Sequence, residues 1–245
     1  LEQESKPLGI TFNGHHSDDF YLLMTEDKKI TFPSKKKIKQ ELTGSNNVID
    51  LSMMFGSPLY ADRTFVAPFE FDERVSQTPQ SLYRAWTNAV NWLMGPNRRI
   101  PLVDDVDPEY HYLAEVEEAP SFEEYLALGE LDVTFVCYPF RIRNHIDYDD
   151  SFDYFIEHED YLAQEVHYKV GGLAKGTLIN IGVSEVPITV TASAAATLTV
   201  NGQPFTLSAG NNTDLDLVLA PGDNALTLTG NAGTTADFSW YQEVI

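Results

Sequence analysis

Cysteine is all but absent: Cys137 is the only one in 245 residues. A lone thiol excludes an internal disulfide framework and a cysteine-based zinc site. Basic residues are scarce as well, 16 Lys and Arg against 37 Asp and Glu, for a formal charge of -21. Such a field repels phosphate, so neither nucleic acid nor an anionic membrane is an expected partner. No apolar run is long enough to span a bilayer. The opening LEQESKPLG is polar and acidic, without the basic start and apolar core of a signal peptide. The P-loop, a GxGxxG after a strand, GxSxG and HExxH are all missing. Carboxylates are numerous, and a glycosidase pair facing across a sheet is invisible in sequence, yet acids this abundant need no catalytic explanation. No catalytic residue, cofactor site or metal site is assigned, and the chain is not expected to be an enzyme.

One stretch stands out from the rest, TPQSLYRAWTNAVNWLMGP, Thr78 to Pro96. Leu82, Trp86, Ala89, Val90 and Leu93 recur at three- and four-residue steps, which predicts a helix over 79–94 with these on its buried face. Thr78 suits the N-cap, and Pro79 the first helical position, where its missing N–H would be unpaired anyway. Gly95 is expected to turn left-handed and Pro96 to stop the helix. Arg84, Asn88 and Asn91 mark the wet side.

Most of the remaining sequence reads as strands. Ile10 and Phe12 alternate before an Asn13-Gly14 turn, and His15-His16 sit beside the turn formers Ser17, Asp18 and Asp19. Adjacent histidines can bind metal, but no third ligand stands at useful spacing, so turn or surface roles are expected. RTFVAPFEFD, from Arg63, alternates Phe65, Ala67, Phe69 and Phe71 and leads into the helix. After the helix, strands are expected at Arg98–Val103, Tyr110–Val116 and LDVTFVCYPFRIR, Leu131 to Arg143, with Phe122 to Leu126 and Gly129 as a connection. Cys137 lies inside the last of these and is expected to be buried and inert.

From Val170 onward the composition shifts to Thr, Ala, Val, Leu, Gly and Asn. Short strands are expected at 186–191, 197–200, 205–207, 214–219, 225–228 and 236–241. Turns such as Asn201-Gly202 and Pro221-Gly222 separate them, since positive φ suits these residues. Regular short strands with such turns predict a β-sandwich. Two domains follow, 1–145 with the helix and 146–245.

Four groups of residues are candidates for function. Lys28, Lys29, Lys35, Lys36, Lys37 and Lys39 gather six of the 16 basic residues into a dozen positions. They make either a solvated strand edge or a contact for the acidic surface of another subunit. Asp104-Asp105-Val106-Asp107 and Asn211-Asn212-Thr213-Asp214 offer oxygen ligands, but without the EF-hand pattern, and turn chemistry explains both more simply. Trp240 and Tyr241 suit either a sugar contact or the sandwich core; alternation turns one of the two inward.

In the order of its motifs the chain resembles the distal tail protein (Dit) family of long-tailed phages and prophages of Gram-positive bacteria. The matching pieces are GITFNGHHSDDF, then the helix ending NWLMGPNRRIPLVDD, then LDVTFVCYPF. TLINIGVSEVPITV, LTVNGQPFTL, LVLAPGDNALTL and DFSWYQ follow in the second half. The resemblance implies a mainly β protein: an N-terminal β-barrel or sandwich with one α-helix, similar to the tail tube subunit, and a C-terminal galectin-like or carbohydrate-module-like β-sandwich. It implies a structural hub, a homo-hexameric ring (single, or back-to-back in isolation) at the tail tip of the virion, assembled in the host cytoplasm. Its implied partners are the tail tube protein and a tail-associated lysin, tail fibre or receptor-binding protein. The alternative reading is a carbohydrate-binding protein that recognises host cell-wall saccharide through the C-terminal sandwich.

Overall fold

In RTFVAPFEF every second residue is apolar, and a strand sends alternate side chains to opposite faces. In the computed structural model this stretch is a nine-residue strand, and Phe65, Ala67, Phe69 and Phe71 are all buried. The structure describes residues 8–146 and 164–245, apart from positions 42, 45, 53, 55–57, 74, 76, 77, 119, 126, 127 and 214. The chain passes from one compact unit to a second between Ile142 and Arg143.

The first unit is built on strands β1 (Ile10–Phe12), β2 (His15–His16), β3 (Leu22–Met24), β4 (Lys29–Ile30), β5 (Lys39–Glu41), β6 (Val48–Asp50) and β7 (Arg63–Phe71). After the helix α1 (Pro79–Met94) come β8 (Ile100–Asp104), β9 (Tyr110–Glu115), β10 (Ser121–Tyr125) and β11 (Leu128–Ile146). The main sheet runs β2-β1-β8-β9-β11-β7-β3, with β10 on β11 and β4 on β7, while β5 and β6 pair only with each other. β7 and β11 lie antiparallel from Glu70 opposite Glu130 to Arg63 opposite Cys137. Their inward residues, with Ile10, Phe12, Leu102 and Ala114 from neighbouring strands, form the core that α1 covers. Cys137 lies in that core, and burial pushes its thiol up to about 12, so it is inert at neutral pH. The segment Ser121–Tyr125, expected as a connection, is a strand instead. β11 is 19 residues long, and Ser121–Tyr125 folds back antiparallel along residues Leu128–Asp132 of it.

The helix begins as its sequence predicts. Thr78 accepts the Ser81 N–H at 3.2 Å, and Ser81 in turn accepts the Thr78 N–H, also at 3.2 Å. Two details differ. The buried face is Leu82, Ala85, Ala89, Trp92 and Leu93, so Trp86 and Val90 lie at its margin, half-buried. Trp92 sets this roll: its Nε1 donates to the Phe12 carbonyl at 2.8 Å and its ring stacks on Phe20 at 4.5 Å. The second difference is Gly95, which is right-handed with φ -63°. A Cβ there would stand 3.0 Å from the Asn91 carbonyl oxygen, so glycine serves close approach rather than handedness, and Pro96 stops the helix.

The second unit contains β12 (His167–Lys169), β13 (Lys175–Asn180), β14 (Val186–Pro187), β15 (Thr189–Ala192), β16 (Ala196–Val200) and β17 (Gln203–Leu207). It continues with β18 (Gly210–Asn212), β19 (Val218–Leu219), β20 (Gly222–Gly230), β21 (Thr235–Ser239) and β22 (Tyr241–Val244). Two four-stranded sheets, β12-β21-β15-β18 and β13-β20-β16-β17, share one core. Tyr168, Val190 and Phe238 come from one sheet, and Leu178, Leu198, Leu226 and Leu228 from the other. This is the predicted sandwich. Asn201 and Gly202 take φ 51° and 85°, as a two-residue hairpin requires. The strand expected over 214–219 shrinks to Val218–Leu219, because Asp216 takes φ 49° and breaks the extended run; Asp214 lies outside the described residues. Among the described residues the fold is mainly β with one α-helix.

Replacing Trp92 with Ala should cost the first unit about 3–5 kcal/mol, because it empties a core site and leaves the Phe12 carbonyl without its donor. Trp86→Ala, at the half-buried margin, should cost only about 1 kcal/mol. Urea melts followed by circular dichroism check the ranking; equal or reversed losses contradict the observed helix roll.

Candidate functional site

The lysine stretch does not form one surface. Lys28 points inward and pairs with Asp104; both side chains are largely covered, and the ammonium sits over the Phe65 ring at 5.9 Å. Lys29 follows in β4, opposite Val66 of β7. Beyond Ile30 the chain leaves the sheet. The departure point is fixed by Arg63, which is buried at 3% exposure. Its Nε donates to the Thr31 carbonyl at 2.9 Å and Nη1 to the Pro139 carbonyl at 3.3 Å, and the guanidinium lies 5.3 Å from the Tyr112 ring centre. Loss of solvent around it pulls its pKa down from the usual arginine value, without making it neutral at ordinary pH.

From there two segments run antiparallel as an arm. The Ala61 amide donates to the Ser34 carbonyl at 2.8 Å, Lys35 bridges to Tyr60, and the Lys36 amide donates to the Leu59 carbonyl at 2.7 Å. Further out, β5 and β6 pair from Lys39 opposite Asp50 to Glu41 opposite Val48. All six residues of these two strands are exposed. So are Phe32 at 77%, Val48 at 50%, Ile49 at 42%, Ile38 and Leu59. Exposed apolar side chains beside strand edges are features through which protein surfaces commonly associate.

Local polar bonds hold the arm in shape. Asp50 accepts the Ser52 amide at 2.9 Å and pairs with Lys37 at 3.0 Å. The Ser52 hydroxyl and amide, then Lys37, hold the Asp50 carboxyl far below the usual carboxylate range. At the base, Arg99 forks onto Asp62 at 3.0 and 2.7 Å and reaches Glu115 at 3.1 Å. Arg99 draws the Asp62 carboxyl down, and Asp62 in turn raises Arg99.

The other candidates resolve into structural roles. Asp104, Asp105 and Asp107 are spent on cations and amides of the same chain. Asp104 takes Lys28 and the Val106 N–H, Asp105 takes the Gly9 N–H and His16, and Asp107 takes Arg141. His16 is not a surface residue. Its Nδ1 accepts the Asp18 N–H at 3.1 Å, capping a 3-10 turn over Ser17–Phe20, which leaves the Nε2 proton facing Asp105 at 2.8 Å. His15 stays exposed. The Asn212 amide bonds the carbonyls of Val190, Ser208 and Gly210, so it builds a turn. Among the described residues no group of three or more His, Cys, Asp and Glu is placed to hold a metal ion. Trp240 is buried at 2% in the second core and is not available to stack on a sugar, while Tyr241 is half exposed. No described helix is long and apolar enough to cross a membrane.

No family model matches the chain, and no curated protein matches it. Among solved structures the chain is similar to the crystal structure of the Dit (gp 19.1) protein of SPP1, which is described as a paradigm of the hub adsorption apparatus in phages infecting Gram-positive bacteria. The TM-score is 0.66 with 13% identity, over 98% of this chain and all of that one. At that identity the likeness is one of fold, and it extends through both units. The fold is therefore the one that the order of sequence motifs predicts.

The Lys28–Asp104 pair can be tested apart from any partner. Lys28→Met leaves a largely buried carboxylate without its cation and should cost about 3 kcal/mol in urea unfolding. Adding Asp104→Leu should recover most of that loss. A single variant as stable as the parent would show that Lys28 is not committed inside the fold.

Proposed function

We propose that this chain is a structural, non-catalytic hub of a phage tail tip, working as a homo-hexameric ring between the tail tube and the proteins that contact the host. One observation carries the reading: the fold likeness to a tail hub protein runs over 98% of the chain, through both units. The exposed arm supports it. A ring needs a heterologous contact, in which one patch meets a different patch on the next copy. The arm is one such patch, apolar along Val48 and Ile49 and basic at Lys35, Lys36, Lys37 and Lys39.

The receiving patch is acidic. On the outer face of the main sheet Glu70 and Glu130 stand directly opposite each other, with Asp132 and Asp27 beside them and Lys29 the one cation among the residues lining the groove. Like charges directly opposed across strands are destabilising. Cations of a second copy would relieve them. Exposed ion pairs are worth only about 0–1 kcal/mol each, so the arm's exposed apolar side chains supply most of the affinity and the charges set direction. With Lys28 and Lys29 held on the sheet and Lys37 paired with Asp50, Lys35, Lys36 and Lys39 are the lysines left to reach a neighbour. In the virion the ring sits at the tail tip, with the tail tube on one side and a tail-associated lysin, fibre or receptor-binding protein beyond.

Sedimentation velocity tests the reading. Changing Lys35, Lys36 and Lys37 to Glu should lower the oligomer fraction at least several-fold while each copy stays folded. The complementary change, Glu70→Lys with Glu130→Lys, should do the same. Mixing the two variants should restore part of the assembly. A triple variant that assembles as well as the parent contradicts the arm contact, and a parent that stays monomeric at every concentration contradicts the ring.

A further inference from the structure

Away from the arm, an open cleft of about 420 Å³ lies between the β1–β2 turn, the 3-10 turn and the exposed edge of α1. Its size falls within the range of sites that take small organic ligands. Its inner side is aromatic: Phe20 and Trp92 stack with planes 13° apart, and Tyr21 borders them. Its walls are carboxamides. Asn88 and Asn91 stand one helical turn apart on α1, and Asn13 faces them from the β1–β2 turn, with Nδ2 3.4 Å from the Trp92 carbonyl. Ala85, Asp19 and His15 also line it, the last two 3.6 Å apart.

The chemistry narrows the ligand. Among the described residues no Lys or Arg lines the cleft, so a phosphate or carboxylate finds no fixed Lys or Arg cation among them. A wholly apolar ligand would strip water from three amides and a carboxylate without replacing their hydrogen bonds. Each carboxamide carries two donors and an acceptor oxygen, so the walls suit a ligand that alternates donors and acceptors around a rim. The faces of aromatic rings are electron-rich and attract the slightly positive hydrogens of C–H bonds. A pyranose ring has both features, neutral hydroxyls around its rim and C–H bonds on its faces. A peptide strand is poorly served, because β2, at the edge of the sheet, is only two residues long and offers little ladder.

The rim is also held in a costly conformation. Tyr21 takes φ 61°, left-handed for a bulky residue, and keeps 41% of its surface exposed. Its N–H bonds the Asp18 carbonyl at 3.0 Å, and its carbonyl accepts the Asp72 N–H at 2.9 Å, so both neighbours fix the strained residue at the mouth. From the aromatic inner side, the amide walls and this fixed tyrosine, we infer that the cleft binds a neutral saccharide of one or two pyranose rings. The site is complete within one copy, so it stands or falls independently of ring assembly.

The test is a titration of the full chain with four probes, N-acetylglucosamine, diacetylchitobiose, maltose and lactose, followed by saturation-transfer NMR and calorimetry. At least one should bind saturably. Asn88→Ala with Asn91→Ala should weaken it about tenfold or more, from the loss of two hydrogen-bonding side chains. Alanine favours the helix, so an unchanged melting temperature is expected. Tyr21→Gly, which removes the ring and accepts the positive φ, should weaken the same probe while the fold persists. The inference is overturned if no probe binds, if the double variant binds as well as the parent, or if glucose 6-phosphate or an unrelated peptide binds better than all four sugars.

Discussion

The antiparallel pairing of β7 with β11 is the constraint on which the first unit depends. Eight consecutive residues of each strand face one another, from Glu70 and Glu130 to Arg63 and Cys137. Because side chains alternate, this single register decides two surfaces at once. Phe65, Ala67, Phe69, Leu131, Val133 and Phe135 are turned into the core that Trp92 and Leu82 cover. The same register turns Glu70, Glu130 and Asp132 outward. It also places Arg63 at the end of the ladder, where its guanidinium ties the Thr31 and Pro139 carbonyls. That knot is where the chain leaves the sheet for the arm. A one-residue slip would bury acids and expose phenylalanines, so the core, the acidic face and the arm's origin are one structural decision.

Charge is used unevenly. A chain at -21 with 16 basic residues has few cations to place. Lys28, Arg99 and Arg141 are committed to carboxylates of their own unit, and Arg63 to carbonyls. The arm holds four more lysines within five positions, of which Lys37 pairs locally with Asp50. Packing the fold does not need them there: the strands β5 and β6 bury nothing of their own. A surface that is apolar, edge-exposed and basic on an acidic molecule is what the proposed contact with a second copy rests on.

Local features were legible in the sequence, and features that join distant positions were not. The ends of α1 could be read because Thr78 and Pro79 act at its start and Pro96 at its stop, each within a few residues of the end it sets. The roll of the helix could not, because Trp92 is fixed by Phe12, 80 positions away. The turn role expected of His16 is local and holds, but its burial against Asp105 could not be read, because that partner is 89 positions off. Lys28 seemed part of a continuous basic run until Asp104 claimed it. Asp216 sits in an alternating stretch that reads as a strand, and only its positive φ breaks it. The cleft was invisible, since Asn13 and Asn91 belong to separate motifs that folding brings together. The order of the motifs was the one long-range signal the sequence carried, and the fold likeness at 13% identity agrees with it.

The central claim is that the arm is exposed in one copy and covered in the assembled protein. Hydrogen–deuterium exchange at several protein concentrations reads this directly, amide by amide. The β7–β11 ladder should be protected at every concentration. The arm amides over 36–51 should exchange fast in dilute samples and become protected as sedimentation shows the ring forming. Arm amides that exchange at the same rate in monomer and oligomer would contradict the account.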